Sequence, residues 1–95
     1  MSDKKISEIW FEPSFDLKCV RFYLSHCFWC FGPFSRTDAF ARAKNFRSEN
    51  PDLFVRTLKV GNDYFNIHNE NEYKIFWQAR KIALRNERRM KNETV

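Results

Sequence analysis

The most distinctive chemical pattern in this chain is a run of bases at helical spacing in its last quarter. Residues 73–95 contain seven Lys and Arg residues but only two acids, Glu87 and Glu93, so this segment carries a net charge of +5, equal to that of the whole chain. At 100° per residue, five of these bases fall on one arc of a helix: Lys74, Lys81, Arg85, Arg88 and Arg89. A one-sided cationic helix attracts polyanions such as phosphate backbones or acidic protein surfaces. The pattern predicts a binding surface.

Aromatic residues next to this arc are candidates for stacking on bases. Trp77 lies on its shoulder, and Lys59 and Tyr64 would extend the surface if the helix packs beside the hairpin that carries them. Cations at this spacing follow a phosphate backbone, and exposed rings stack on bases. We therefore expect binding of nucleic acid, or of a nucleic-acid-handling machine, through this surface. The alternative is an ordinary solvated helix face whose Lys and Arg stems cover apolar neighbours.

The abundance of aromatic residues supports a second hypothesis, a protein-binding inhibitor or adaptor. Aromatic residues make up 18% of the chain, more than two helices on a small sheet easily cover. Exposed Trp, Tyr and Phe together with Arg are typical of interface hot spots. Under this hypothesis the basic helix docks on an acidic partner, and Trp10, Phe11 and Phe15 form a further docking or self-association patch.

Zinc or thiol chemistry is a minor alternative. The chain contains three cysteines and two histidines, the residue types that bind zinc: Cys19, His26, Cys27, Cys30 and His68. Phe28 and Trp29 stand between Cys27 and Cys30, where a metal knuckle prefers small or polar residues, and there is no second Cys-x-x-Cys motif. Buried thiols acting as small apolar groups explain these cysteines better, so we expect no metal or other cofactor.

Motifs for catalysis are missing from the sequence. It has no phosphate-binding glycine loop, no nucleophile elbow and no paired-acid motif. We therefore expect a binding protein that is not an enzyme.

The hydropathy pattern predicts a single α+β domain over residues 1–95. The expected order is ββαββα, a small four-stranded, mainly antiparallel sheet with two helices. Strands are predicted over 6–11, 17–31, 53–60 and 63–68, and helices over 36–49 and about 70–90, followed by a frayed tail over 91–95.

Local signals support several of these elements. Ser35 is the expected N-cap of the first helix, with Asp38 three residues later. Gly61-Asn62 predicts a type II′ hairpin that pairs Leu58 with Phe65. On the last helix, one arc of apolar residues is expected to face the body: Ile75, Phe76, Ala79, Ile82, Ala83 and Met90.

The first residues and the cysteine count bear on location. The start of the chain has lysines but no apolar run behind them, so we expect no export signal. The most apolar stretch, Cys27–Phe34, is far shorter than the ~20 residues of a membrane span. Three cysteines cannot all pair within one chain, which favours a reducing compartment. The expectation is a cytoplasmic protein without membrane contact, with self-association left open.

Two resemblances accompany these patterns. The segment Cys30–Ser35 (CFGPFS), followed by Ala39 and Ala43, resembles the strand–GPF–helix opening of SPOR-type domains, over about a third of the chain. Such domains bind peptidoglycan outside the cytoplasmic membrane, and without an export signal or anchor we do not expect that function here. The size, aromatic richness and basic tail resemble small accessory proteins of bacteriophages, which often bind and redirect host machinery.

Overall fold

The computed structural model describes residues 5–93, with side chains through Arg89. Four helices and three strands follow one another along the described chain: α1 (Ile6–Ile9), α2 (Leu17–Ser25), β1 (Cys30–Phe34), α3 (Arg36–Glu49), β2 (Arg56–Val60), β3 (Asp63–Ile67) and α4 (Glu70–Glu93). The α+β class and the antiparallel sheet are confirmed. The prediction of four strands in the order ββαββα is wrong, because both segments predicted as N-terminal strands begin with helix.

Helix α2 occupies the first half of the long segment predicted as a strand. Its N-cap is Asp16, whose carboxylate accepts a hydrogen bond from the Cys19 N–H at 3.1 Å. Val20 and Leu24 are buried one helical turn apart, whereas Phe22 between them is 58% exposed. A strand would have buried all three on one face, and a helix turns the middle residue to the opposite side.

The sheet has the order β1-β3-β2, with β3 antiparallel to both neighbours. The predicted hairpin between β2 and β3 is confirmed, including the pairing of Leu58 with Phe65. Gly61 has a φ of 65°, and no other residue type has a positive φ in the described chain. This agrees with a type II′ turn, in which only the first central residue needs a positive φ.

The two faces of the sheet are covered by different helices. On one face, β2 and β3 contribute Leu58, Val60, Phe65 and Ile67 to a core that includes residues of α2 and α4. On the other face lies α3, whose predicted bounds and Ser35 cap are confirmed.

Contact between α3 and the sheet is close and partly polar. Ala39 and Ala43 are its buried residues, and their small side chains let the helix backbone approach β3. The buried Asn66 amide donates to the Ala39 carbonyl oxygen at 3.0 Å and accepts from the Thr57 hydroxyl at 2.7 Å. These bonds fix α3 on the sheet face opposite α4.

Helix α4 begins as predicted and is about 36 Å long at 1.5 Å per residue. The Asn69 side chain accepts from the Glu72 N–H at 3.0 Å, and two acids lie in the positive first turn. Its inward arc is centred on three buried residues, Phe76, Ala79 and Ala83. The Met90 side chain and residues 94–95 of the predicted tail lie outside the described residues, and the helix itself continues to Glu93.

Candidate functional site

Two polar side chains of α4 attach this helix to the start of α2 and to the segment just before it. The Glu87 carboxylate accepts a hydrogen bond from the Leu17 N–H at 2.9 Å, and the Asn86 amide donates to the Phe15 carbonyl oxygen at 2.9 Å. Leu17 is the first residue of α2, so Glu87 also places negative charge at the positive end of that helix. The one acid of α4 between residues 73 and 89 is thus turned towards the body.

The opposite side of α4 carries the predicted cations. We call this surface the outer stripe; its members share an arc of about 120° at 100° per residue: Lys74, Trp77, Lys81, Arg85, Arg88 and Arg89. All six are exposed, Trp77 to 43%. From Lys74 to Arg88 the stripe is roughly 21 Å long. The arrangement of this helix as a two-sided rod therefore agrees with the sequence prediction.

Most of the positive charge on the outer stripe has no neighbouring carboxylate. Lys74 forms an ion pair with Glu70, Nζ to Oε2 3.5 Å, between two well-exposed groups, which screens it only weakly. Lys81 lies over the Trp77 ring, with its Nζ 4.6 Å from the ring centroid. Within the described side chains, no ion pair involves Lys81 or the three arginines of the stripe. Their charge is available to a partner.

Lys59 and Tyr64 do not join the outer stripe. Both side chains lie on the α3 side of the sheet, where the Lys59 Nζ is 6.0 Å from the Tyr64 ring centroid. The Tyr64 ring in turn lies 6.1 Å from the Phe40 ring of α3. The Lys59 backbone does contact α4, because its carbonyl oxygen accepts a hydrogen bond from Arg80. The structure brings six of the eight predicted binding residues together and separates these two from them.

The predicted aromatic patch of Trp10, Phe11 and Phe15 is formed only in part, because Trp10 and Phe11 pack edge-on with 6.1 Å between their ring centroids whereas Phe15 is not on the surface. Phe15 is a core residue at 1% exposure, and Phe11 is 82% exposed. Trp10 is half-buried.

A larger aromatic surface, which sequence reasoning missed, lies between α3, β1 and the turn before β1. It surrounds a cavity of about 770 Å³, hereafter the aromatic cavity. Six aromatic side chains line it: Phe28, Trp29, Phe31, Phe34, Phe46 and Phe54. The signal was present in the sequence, because residues 28–31 are apolar on both faces. The sequence prediction placed these residues in one strand over 17–31, but β1 begins only at Cys30 and is an edge strand, so its outer side chains stay accessible.

Leu53 and three polar residues complete the lining of the aromatic cavity, and the three polar residues differ in the contacts that they make. The Asn66 amide is used in the contact with α3. Arg42 carries the only formal charge of the lining, and its guanidinium lies 4.7 Å from the Phe34 ring centroid and 3.5 Å from an Asp38 carboxylate oxygen. His68 has a buried Nδ1 with no hydrogen-bond partner among the described residues.

His68 lies between two rings of the cavity wall. Its ring centroid is 5.1 Å from that of Phe31 and 4.2 Å from that of Phe46, in edge-on arrangements. Burial among these rings lowers the pKa of His68 below its ordinary value of 6.5, because desolvation disfavours the imidazolium. The imidazole is therefore mainly neutral at pH 7.

The three cysteines are free thiols. Burial raises the pKa of Cys30 well above its ordinary value, helped by a hydrogen bond that the Cys30 thiol donates to Cys27, and burial also raises the pKa of Cys19. A raised pKa opposes the thiolate form that zinc binding and nucleophilic chemistry require. In the part of the chain that the structure describes, no three His, Cys, Asp or Glu side chains are grouped so as to hold a metal ion.

Among the described helices, none combines the length and the hydropathy that crossing a bilayer requires. Comparison of the chain with family models, with curated proteins and with solved structures gave no significant match.

Proposed function

We propose that this protein is a non-catalytic binding protein that engages nucleic acid through the outer stripe of α4. The observation that carries the proposal is the separation of charge across this helix. Lys81, Arg85, Arg88 and Arg89 are exposed and form no ion pair with any side chain that the structure describes, while Glu87 is turned inward to cap α2. A solvated helix face with no binding role commonly mixes acids among its bases.

The dimensions of the outer stripe suit a phosphate backbone. A cationic row of roughly 21 Å runs alongside about six base-pair steps of a duplex. Each phosphate that a Lys or Arg neutralises releases counterions, which drives binding and makes it dependent on salt. Contacts of this kind position a protein on the backbone without reading sequence, so we expect little sequence preference from α4 itself.

Trp77 favours a second candidate, docking on an acidic protein surface. An exposed Trp flanked by cations has the composition of an interface hot spot. An adaptor or inhibitor with this surface would bind its partner whether or not nucleic acid is present.

The test compares two triple variants of the full chain in binding to a fluorescein-labelled duplex. One replaces Lys81, Arg85 and Arg88 with alanine, and the control replaces three exposed α3 bases with alanine: Arg36, Lys44 and Arg47. Both lose the same net charge. We expect the first to lose most of its duplex affinity at low salt and the control to lose little. Equal losses would show a response to net charge alone and would reject the outer stripe.

A pull-down from lysate, with and without nuclease, separates the two candidates. Retained nucleic acid that disappears with the stripe variant supports the first. A protein partner that survives nuclease treatment and is lost with Trp77→Ala supports the second.

A further inference from the structure

The aromatic cavity on the α3 side of the sheet has the size of a ligand site. Its volume of about 770 Å³ falls within the roughly 300–1,000 Å³ typical of small-molecule pockets. It is separated from the outer stripe by the sheet, so the proposed role of α4 does not account for it. Its lining is aromatic apart from Leu53 and three polar residues, a composition that selects for flat rings.

The polar groups of the lining define what else the occupant must carry. Arg42 provides a positive charge at the cavity, and none of the described residues that line it is acidic. His68 also lines the cavity, and its Nδ1 is buried without a partner in the described chain, so an occupant bonds to this atom only if the imidazole turns towards the cavity. A purely aliphatic occupant would leave that atom unsatisfied, which is unfavourable. The complementary ligand has a flat ring, a polar ring edge and an anionic group.

Cations lie over the cavity rings as they do in single-strand binding sites. The Arg42 guanidinium is 4.7 Å from the Phe34 ring centroid, and that of Arg56 is 5.4 Å from the Phe54 centroid. The ion pair of Arg42 with Asp38 joins two exposed groups and is weak, so a phosphate can compete for this guanidinium. Rings that stack on bases, next to cations that follow the backbone, are the common solution for binding unpaired nucleic acid.

We infer that the aromatic cavity holds an unstacked nucleobase, with the polar edge of the base at His68 and its phosphate at Arg42. This inference deepens the proposed function, on which it rests for the nature of the ligand, by naming single-stranded nucleic acid as the preferred form. A base in a duplex is stacked and paired and does not enter the cavity. A free nucleotide offers the same chemistry as an unpaired base in a strand, so the two are compared directly.

The test measures binding of a labelled single strand, of its duplex and of AMP to the full chain. Phe31→Ala removes a ring of the cavity, and Phe11→Ala, an exposed ring away from it, is the matched control. Arg42→Ala is matched by Lys44→Ala on the same helix. Loss of one stacked base corresponds to about 5- to 150-fold weaker binding. We expect this loss for the single strand with Phe31→Ala, a smaller loss with Arg42→Ala, and duplex affinity and both controls unchanged within about twofold.

Two further measurements keep the test independent of folding defects. His68→Phe retains a ring but removes Nδ1, and it is expected to weaken AMP and single-strand binding while thermal melting stays cooperative. NMR titration of the unaltered protein with AMP should shift the amide signals of Phe31 and His68 but not those of the outer stripe. If AMP shifts neither signal and the single strand still binds, the strand does not use the cavity and the inference is wrong.

The outcomes separate this inference from the proposed function. If the α4 triple variant loses duplex binding while Phe31→Ala binds the single strand like the unaltered protein, the cavity inference fails and the proposed function stands. If Phe31→Ala loses the single strand while the α4 variant keeps the duplex, the cavity inference stands and the role of the outer stripe fails. Binding of aromatic peptides in preference to AMP would contradict the inference and favour a protein partner.

Discussion

Replacing Glu87 with alanine tests whether this acid belongs to the body of the protein or to its charged surface. The Glu87 carboxylate accepts the Leu17 N–H at 2.9 Å, at the first residue of α2. A hydrogen bond to a charged group contributes about 1.5–3 kcal/mol, and loss of a helix cap typically costs about 0.5–2 kcal/mol. Because Glu87 is half-buried, we expect a loss near the overlap of these ranges, about 1.5–2 kcal/mol.

The loss is measurable by thermal melting. For a domain of this size, 1 kcal/mol corresponds to about 4–8 °C in Tm, so Glu87→Ala is expected to lower Tm by roughly 6–16 °C. Glu87→Gln keeps an acceptor oxygen but loses the charge and should lower Tm by about half as much. Glu49→Ala, which removes an exposed acid near the end of α3, is the control.

Binding of a duplex by the same variants completes this test. Glu87→Ala makes the net charge more positive without touching the outer stripe, so duplex affinity should be unchanged or slightly higher. A Tm equal to that of the unaltered protein, or a clear loss of duplex affinity, would refute the assignment of Glu87 to the interior contact.

Three further changes test the fold and the cavity wall. Gly32 has a φ of 147°, and an added Cβ would lie 2.7 Å from the Phe65 ring. Gly32→Ala should therefore lower the free energy of unfolding in denaturant by about 2 kcal/mol or more. An unchanged midpoint of denaturant unfolding would contradict this. Asn66→Leu should lower the free energy of unfolding by about 1–3 kcal/mol, because it leaves the Thr57 hydroxyl without its acceptor. In a double-mutant cycle with Thr57→Val the two losses of stability should not add. Additive losses would show that the bond is unimportant. The pKa of His68 is lowered in the folded protein, so below about pH 6.5 the unfolded chain binds a proton that the folded protein excludes, and the free energy of unfolding should fall as pH decreases through this range. His68→Phe should flatten that pH dependence. An equally steep fall in the variant would exclude His68 as its source.

The elements that the sequence predicted correctly are those with strong local signals. The Ser35 cap marks the start of α3, and Gly61 supplies the positive φ that the hairpin needs. On α4, the 3.6-residue period of apolar residues indicated both its inward arc and its approximate bounds. In each case the relevant interaction lies within a few residues, so the chain itself contains the information.

The segment from 17 to 31 was predicted wrongly because its local signals conflict. Its aromatic and β-branched residues favour a strand, whereas the Asp16 cap and the burial of Val20 and Leu24 one turn apart belong to a helix. Long-range packing of α2 against α4 decides between them. The residues that do form β1 pair with β3 at the edge of the sheet, a placement that no local pattern contains.

The candidate site was predictable in part for the same reason. Exposure of the outer stripe follows from the period of one helix and needs no knowledge of the rest of the fold. The positions of Lys59 and Tyr64, and the existence of the aromatic cavity, depend on α3 and α4 covering opposite faces of the sheet. The prediction of two helices on one sheet did not specify which face of the sheet each helix covers.

The salt dependence of duplex binding tests the central claim most directly, namely that the outer stripe neutralises phosphates. Each phosphate contributes about 0.9 to the slope of log affinity against log salt, so replacing Lys81, Arg85 and Arg88 with alanine should reduce the slope by about 2.7. Between roughly 50 and 200 mM salt the unaltered protein should then lose about 40-fold more affinity than this variant, whereas the α3 control variant should keep the original slope. A slope that is the same in all three proteins, or that falls equally in both variants, would contradict the claim.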